Sequence, residues 1–233
     1  MAIRHLPFAV GHRVRESATA RFWRKALLFG VLALVLYLAM DLIAAWRYAG
    51  YSYRDQTISE LSAVDAPTRT FWLILVLPYE GLMLGLAAAI LVAAKGRRRL
   101  LMIGALLLAY GVTGLLWPFA PMHQREVLAA GGDTWTDGAH LVLAGVTSTL
   151  FLLMMVIGLG TFGKGFRRYT LATIAALAIF GTLTSLGSGG VAENDSTPWL
   201  GVWERVAVFG SMAWIAVLGV LLYRREVREG GTE

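Results

Sequence analysis

The chain has 233 residues, of which 57% are hydrophobic and only 15% are charged, with no cysteine and a net charge of +6. Because a soluble domain carries about 25% charged residues, this composition excludes most soluble classes, and the lack of cysteine excludes disulfide frameworks, thiolate metal sites and cysteine nucleophiles. A positive charge of this size favours a nucleic-acid partner in a soluble protein. Here the basic residues cluster between long apolar runs, so no nucleic acid is expected.

Six apolar runs of about 20 residues, the length that crosses a bilayer, predict an all-α polytopic membrane protein. One transmembrane domain is expected over residues 26–223, between a basic N-terminal segment (1–25) and a short tail (224–233). The first run is too long for the apolar part of a signal peptide, so we expect it to be retained. The predicted spans run approximately from Ala26 to Ala45, Phe71 to Ala94, Leu100 to Trp117, Ala139 to Thr161, Tyr169 to Gly187 and Leu200 to Tyr223.

Lysine and arginine are concentrated on one side of these spans. The N-terminal segment, the second-to-third and fourth-to-fifth connections and the tail hold 16 of the 21 basic residues. By the positive-inside rule, both termini are expected to be cytoplasmic. The three remaining connections (47–70, 118–138 and 188–199) are then on the outer face, and they are longer and mixed in charge.

The first outer connection carries the signals of a short amphipathic helix. Thr57 and Glu60 have the spacing of a capping box, and the Asp-Ala-Pro sequence that follows predicts a stop. We expect Ile58 and Leu61 to pack downward as a lid. Two interpretations stay open for Ser59 and Glu60, because they either cap this helix or take part in a site directly.

The ionisable residues inside the spans all lie in the outer half. A charged side chain within a span costs from roughly 2.5 kcal/mol upward, so it faces protein or a wet cavity and marks function by default. The second, fourth and sixth spans each carry such a group early, and we expect them to face one another around a pocket that opens outward. Its expected members are Glu80, His123, Arg125, Asp137, His140, Glu204 and Arg205, with Glu60 covering it.

The first function class is a membrane hydrolase or transferase acting on a lipid or lipid-linked substrate. The candidate catalytic residues are acids and one histidine, which suit general acid–base chemistry. They are Glu80, Asp137, His140 and Glu204. The candidate substrate-binding residues are Glu60, Arg125, Arg205, Tyr79 and Trp203, in which an arginine would hold an anionic head group.

A divalent metal such as zinc is the cofactor that this class would use. His123, His140 and Asp137 supply the nitrogen and oxygen ligands that zinc prefers. The metal would activate water or polarise a carbonyl or phosphoryl oxygen. No zinc or serine-hydrolase sequence motif is present, so chemistry without a metal stays open.

Two non-catalytic classes also stay open. A binding or transport protein would use its outward-facing acids to carry protons or bind cations, although six spans are few for alternating access unless the chain dimerises. Monomer and homodimer are both compatible with the sequence. A structural or assembly factor would pair Glu80 or Asp41 with Arg205 as a buried ion pair.

The sequence Gln56-Thr-Ile-Ser-Glu-Leu-Ser-Ala, followed by Ala66-Pro67, resembles the signature of the prokaryotic membrane family known as domain of unknown function 998. With the six-span layout, the resemblance covers nearly the whole chain. It implies a helical protein of the cytoplasmic (inner) membrane of bacteria or archaea. The family has no established activity, so the resemblance assigns no functional residues.

Overall fold

The computed structural model describes residues 17–230 and contains helices and no strand in this range. Most of the basic N-terminal segment and the end of the tail lie outside the described residues. Two short 3₁₀ helices, Ser59–Ser62 and Trp117–Phe119, lie in the connections. The α-helices are α1 (Ala18–Ala26), α2 (Phe29–Arg47), α3 (Arg69–Ala93), α4 (Arg98–Gly114), α5 (Arg125–Ala129), α6 (Trp135–Gly158), α7 (Lys164–Ala192) and α8 (Leu200–Gly230).

Six of these helices are long and apolar enough to cross a membrane, which confirms the six predicted spans. They are α2, α3, α4 with the turn after it, α6, α7 and α8. Even the 19 residues of α2 extend across most of a hydrocarbon core of about 30 Å. Several boundaries differ from the prediction. The first span begins at Phe29, because α1 is a separate helix, while the fourth begins at Trp135. The fifth extends from Lys164 to Ala192, and the sixth continues to Gly230.

The long helices form a ring in chain order. α2 packs on α3, α3 on α4, α4 on α6, α6 on α7 and α7 on α8, and α8 closes the ring on α2. α3 also contacts α8 across the centre, and these two helices are the most buried of the six. The core therefore lies between them, with Met83, Leu86, Trp214 and Leu218 fully buried.

The connections divide between the two ends of this ring. The first (48–68), second (115–134) and third (193–199) connections lie at one end, which we call the polar end. The short connections 94–97 and 159–163 lie at the other, which we call the basic end. The connections of the polar end pack on one another, since the Val64 N–H donates to the Met122 carbonyl oxygen at 2.8 Å.

The short helix predicted in the first connection is present as the 3₁₀ helix Ser59–Ser62. The capping box is also confirmed. The Thr57 N–H donates to Glu60 Oε2 at 2.7 Å, and the Glu60 N–H donates to Thr57 Oγ1 at 3.3 Å. Ile58 and Leu61 are buried, as a packed lid requires.

Close helix contact at Gly219 gives a test of this packing. A β carbon at Gly219 would lie 2.2 Å from the carbonyl oxygen of Leu27, which cannot move as the end of a side chain can. We expect Gly219→Ala to destabilise the protein by about 1–3 kcal/mol. Gly210 lies on the same helix, and no heavy atom of the described chain lies within 4 Å of a β carbon built there. In thermal unfolding in detergent, only Gly219→Ala should lower the melting temperature, and an equal decrease in Gly210→Ala would contradict this contact.

Candidate functional site

Arg205 on α8 and Asp41 on α2 form a buried ion pair. The guanidinium donates from Nη2 to Asp41 Oδ1 at 2.9 Å and from Nε to Oδ2 at 3.0 Å, and the two residues are 4% and 0% exposed. Tyr53 donates to Asp41 Oδ2 at 2.6 Å. Burial and this hydrogen bond raise the pKa of Tyr53 to about 12, so its hydroxyl keeps the proton that it donates. The Asp41 pairing is one of the two that the structural hypothesis allowed for Arg205.

The same guanidinium holds the backbone of the first connection. Nη1 of Arg205 donates to the carbonyl oxygens of Tyr53 at 2.9 Å and Gln56 at 3.0 Å, and Nη2 donates to the Tyr51 hydroxyl at 2.7 Å. Gly201 permits this approach, because a β carbon there would lie 2.2 Å from the Gln56 carbonyl oxygen. The first connection is therefore docked on α8 by a charge inside the ring.

A second arginine–carboxylate pair joins the three connections of the polar end. Arg125 donates from Nε to Glu60 Oε1 at 2.5 Å and from Nη2 to Oε2 at 3.1 Å. It also donates to the third connection, at Thr197 Oγ1 (2.8 Å) and the Asp195 carbonyl oxygen (3.0 Å), and to the Asp55 carbonyl oxygen of the first (3.5 Å). Arg125 therefore uses its hydrogen-bond donors to hold the three connections together.

Glu60 is buried and bears a stabilised negative charge. Burial alone would raise its pKa, but Arg125, the Gln56 side-chain amide and the Thr57 N–H all donate to the carboxylate and hold the pKa below its usual range. A cavity of about 40 Å³ beside this pair is room for about one water molecule. The expected pocket under Glu60 is thus too small for a lipid head group.

Ser59 lies between two of the predicted site residues, His140 on α6 and Glu204 on α8. Its Oγ is 3.0 Å from His140 Nε2 and 3.5 Å from Glu204 Oε1. His140 Nδ1 is 3.0 Å from the carbonyl oxygen of Ala120. A carbonyl oxygen only accepts, so Nδ1 holds the proton of the neutral ring and Nε2 accepts from the Ser59 hydroxyl.

The surroundings of this pair fix the imidazole and leave the serine partly accessible. His140 is 8% exposed, and the Trp117 ring packs edge-on against it at 4.8 Å between centroids. Glu204 Oε2 accepts the Ile58 N–H and so anchors the residue before Ser59. Ser59 itself is half-buried. Ser59 is therefore partly accessible and lies beside an imidazole whose orientation is fixed.

Asp137 orients His123 and makes no hydrogen bond to His140. Its Oδ2 is 2.8 Å from His123 Nδ1, and its Oδ1 accepts the His123 N–H at 2.7 Å. It also accepts the Thr134 N–H at 2.9 Å in the capping box that starts α6. The structure thus does not bring His123, His140 and Asp137 into one metal site, and within residues 17–230 no three His, Asp or Glu side chains cluster as metal ligands.

Three other predicted residues do not join the serine–histidine pair. Glu80 is 2% exposed and packs against Gly114 of α4, and its Oε2 has no hydrogen-bond partner in the described part of the chain. The Tyr79 hydroxyl is 2.9 Å from that of Tyr110, and Trp203 lies near Gly187 of α7. The predicted residues of the second, fourth and sixth spans therefore do not line one common pocket. They make separate polar contacts instead.

Ser59 is one of the two residues, with Glu60, that the sequence left undecided between capping and a site role. Thr57 and Glu60 make the capping box without it, so the Ser59 hydroxyl is directed to His140. The two residues are 81 positions apart. A contact between residues so far apart cannot be predicted from local spacing. The signal in the sequence that pointed to Ser59 was its position inside the signature that begins at Gln56.

Six apolar helices in one ring define a multi-pass membrane protein. The chain belongs to the family described as protein of unknown function (DUF998), whose model matches residues 31–221. This match confirms the resemblance of the signature sequence, and it includes Ser59, His140 and Glu204. No curated protein and no solved structure matches the chain significantly.

The charge of Glu60 makes stability depend on pH. Since the pKa of Glu60 is lower in the folded chain than in the unfolded one, its contribution is complete above the unfolded value of about 4.3 and is lost as the pH falls through the folded value. Glu60→Gln removes this contribution. We expect a loss of about 1.5–3 kcal/mol at neutral pH, typical of a hydrogen bond to a charged group.

Melting temperatures measured from pH 7 to pH 3 check this expectation. The wild type should lose more stability than Glu60→Gln below about pH 4, where the carboxylate is protonated. Glu126→Gln is the matched control, since Glu126 is exposed in the same connection as Arg125. Parallel profiles for wild type and Glu60→Gln would show that the Arg125–Glu60 pair does not stabilise the fold.

Proposed function

We propose that the protein is a membrane hydrolase or transferase that uses Ser59 as nucleophile and His140 as general base on an ester of a lipid or lipid-linked substrate. The observation that carries this proposal is the 3.0 Å contact between Ser59 Oγ and His140 Nε2, with the Nδ1 proton of His140 held by the Ala120 carbonyl. A serine, a base and a group that orients the base are the parts that activate a hydroxyl. Here a backbone carbonyl orients the base.

The proposed reaction has two steps. Ser59 Oγ attacks the ester carbonyl carbon while its proton passes to His140 Nε2. The bond to the alcohol breaks, the alcohol leaves with that proton, and an acyl group remains on Ser59. Water for hydrolysis, or a second alcohol for transfer, then attacks the acyl carbon while His140 takes its proton. The bond between the acyl carbon and Ser59 Oγ breaks, the acid or the new ester leaves, and His140 returns the proton to Ser59 Oγ.

Two features of the site support acid–base chemistry over a metal at His140. Both ring nitrogens are engaged, one by the Ala120 carbonyl and one by Ser59, so a metal would have to displace one of these partners. Glu204 lies 3.5 Å from Ser59 Oγ, and its carboxylate would stabilise the imidazolium that forms during the reaction.

The polar end has the features of a membrane–water interface, which supports a lipid substrate. Trp46, Trp135, Trp199 and Phe119 lie at the ends of helices there and are 85%, 74%, 53% and 71% exposed. Exposed tryptophans at this level are typical of the head-group region. Ser59 lies at the same end of the ring, so with these tryptophans in the head-group region it would lie near the ester groups of glycerolipids.

We further propose that the polar end faces outward, in the cytoplasmic (inner) membrane of a prokaryote, with both termini inside. This rests on the positive-inside rule, because Lys95 and Arg97 lie in a short connection of the basic end, and Lys164 and further arginines lie in the first turns of the helices beside these connections. Membrane lipid is then both the surroundings and the substrate class of the protein.

A structural role is the second candidate, and the two arginine–carboxylate pairs favour it. Arg205 and Arg125 bind carboxylates and backbone carbonyls of the chain itself, so they are not positioned to hold an anionic substrate. A structural or assembly protein would need this rigid polar end, but its Ser59 would have no reason to react.

A fluorophosphonate probe separates the two candidates. Ser59 Oγ would displace fluoride at phosphorus, with its proton taken by His140, and mass spectrometry would find the phosphonate on the Ser59 peptide. We expect Ser59→Ala to abolish the label and His140→Ala to slow labelling by about 10²–10⁴-fold, the usual contribution of a general base. Ser196→Ala removes an exposed serine at the same end and should react as wild type.

The outcome is interpretable only for folded protein, so melting temperatures accompany the labelling. A folded wild type with no adduct at Ser59 would contradict the catalytic proposal and favour the structural role. A label that persists in Ser59→Ala would assign the reaction to another residue. Release of fatty acid from diacylphospholipid vesicles, lost in Ser59→Ala, would then identify the ester class.

Single cysteines test the orientation, because the chain contains none and gives no background. Asp133→Cys, exposed in the second connection, should react with a membrane-impermeant maleimide in intact spheroplasts. Arg168→Cys, exposed at the basic end, should react only after permeabilisation. The reverse pattern would overturn the proposed orientation. It would not bear on the chemistry proposed for Ser59, which the fluorophosphonate experiment tests.

A further inference from the structure

A cleft at the basic end combines positive charge with an apolar wall. It has a volume of about 440 Å³ and lies where α4 begins, α6 ends and α7 begins. Arg99 and Arg167 line it together with apolar side chains that include Met102, Val156 and Ile157. The cleft is at the opposite end of the ring from Ser59, so it is separate from the proposed active site.

Arg99 is fixed at this cleft by the backbone of the neighbouring connection. Its Nη1 donates to the carbonyl oxygen of Gly160 at 2.5 Å. Gly160 makes room for the guanidinium, because a β carbon there would lie 2.0 Å from Arg99 Nη1. This bond uses one of the several N–H donors of the guanidinium, and the side chain stays exposed.

The positive charge of the cleft is not neutralised by the acidic residues of this end. Glu226 accepts from Lys95, and Glu229 accepts from Lys95 and Arg97. Across residues 17–230, no ion pair includes Arg99 or Arg167. The two arginines therefore offer charge to an external anion.

The apolar wall is open to the surrounding lipid. Met102 is 52% and Val156 50% exposed, although both belong to membrane-spanning helices. α7 is the least buried of the six long helices, and it packs on α6 less extensively than on α8. An acyl chain would cover apolar surface here that no helix of the described chain covers.

We propose that this cleft binds an anionic phospholipid, with the phosphate held by Arg99 and Arg167 and an acyl chain lying along Met102 and Val156. Guanidinium groups bind phosphate with paired hydrogen bonds, and basic pockets between membrane helices are sites for acidic head groups. A free phosphate would satisfy the arginines and leave the apolar wall uncovered, so the lipid fits the cleft better.

The test measures lipid selectivity of the full chain in nanodiscs that mix phosphatidylcholine with spin-labelled phosphatidylglycerol. A guanidinium that hydrogen-bonds the bound phosphate directly is expected to contribute about fivefold to affinity, the ratio that corresponds to a typical net hydrogen bond. We therefore expect the double variant Arg99→Gln/Arg167→Gln to lose roughly 25-fold in affinity for the anionic lipid. Gly160→Ala keeps both charges but displaces Arg99, and it should lose about fivefold.

The matched control is Arg98→Gln/Arg168→Gln, which removes the same charge from two exposed neighbours that do not line the cleft. This control should stay within about twofold of wild type. An equal loss in both double variants would mean general surface attraction and would overturn the site, as would a wild type without selectivity. Competition by millimolar inorganic phosphate as strong as by lipid would overturn the assignment to a phospholipid. Melting temperatures confirm that each variant is folded.

Discussion

Arg205 carries its charge inside the helix ring, where Asp41 and the carbonyl oxygens of the first connection surround it. A buried charge without partners costs several kcal/mol. Separating α2 or the first connection from α8 would leave Arg205 without its partners, so the three segments stabilise one another. Electrostatics therefore fixes the loop, while apolar burial of Leu61 and Ile58 completes its packing. This pair therefore holds the first connection of the polar end on α8.

Ser59 lies between two anchors of the same connection. Gln56 is held by Arg205 and Glu60 by Arg125, so the residue between them has little freedom to move. A nucleophile must be held to within a fraction of an ångström of its base, and sites gain this precision from the groups that support them. The two arginines thus act on the proposed chemistry by positioning Ser59 against His140, which itself is held by a backbone carbonyl.

The features that the sequence predicted well depend on local patterns. Span length follows from apolar runs, and the Thr57–Glu60 capping box follows from a spacing of three. The metal hypothesis relied on the ligand types of His123, His140 and Asp137. In the structure Asp137 caps the start of α6 and binds His123, while His140 binds residues 20 and 81 positions away. Such contacts depend on how helices are arranged, and no single sequence contains that information. Charge clustering likewise predicted the basic end but not which two arginines line a cleft.

Hydrogen exchange of the first connection in Asp41→Asn tests most directly whether the buried pair positions the loop. The substitution leaves Arg205 without its carboxylate, so amides of residues 55–62 should exchange about tenfold faster or more, while the α3 and α8 cores stay protected. Asp133→Asn, an exposed change at the same end, should exchange as wild type. Unchanged protection of residues 55–62 in Asp41→Asn would contradict the view that the Arg205–Asp41 pair holds Ser59 in place.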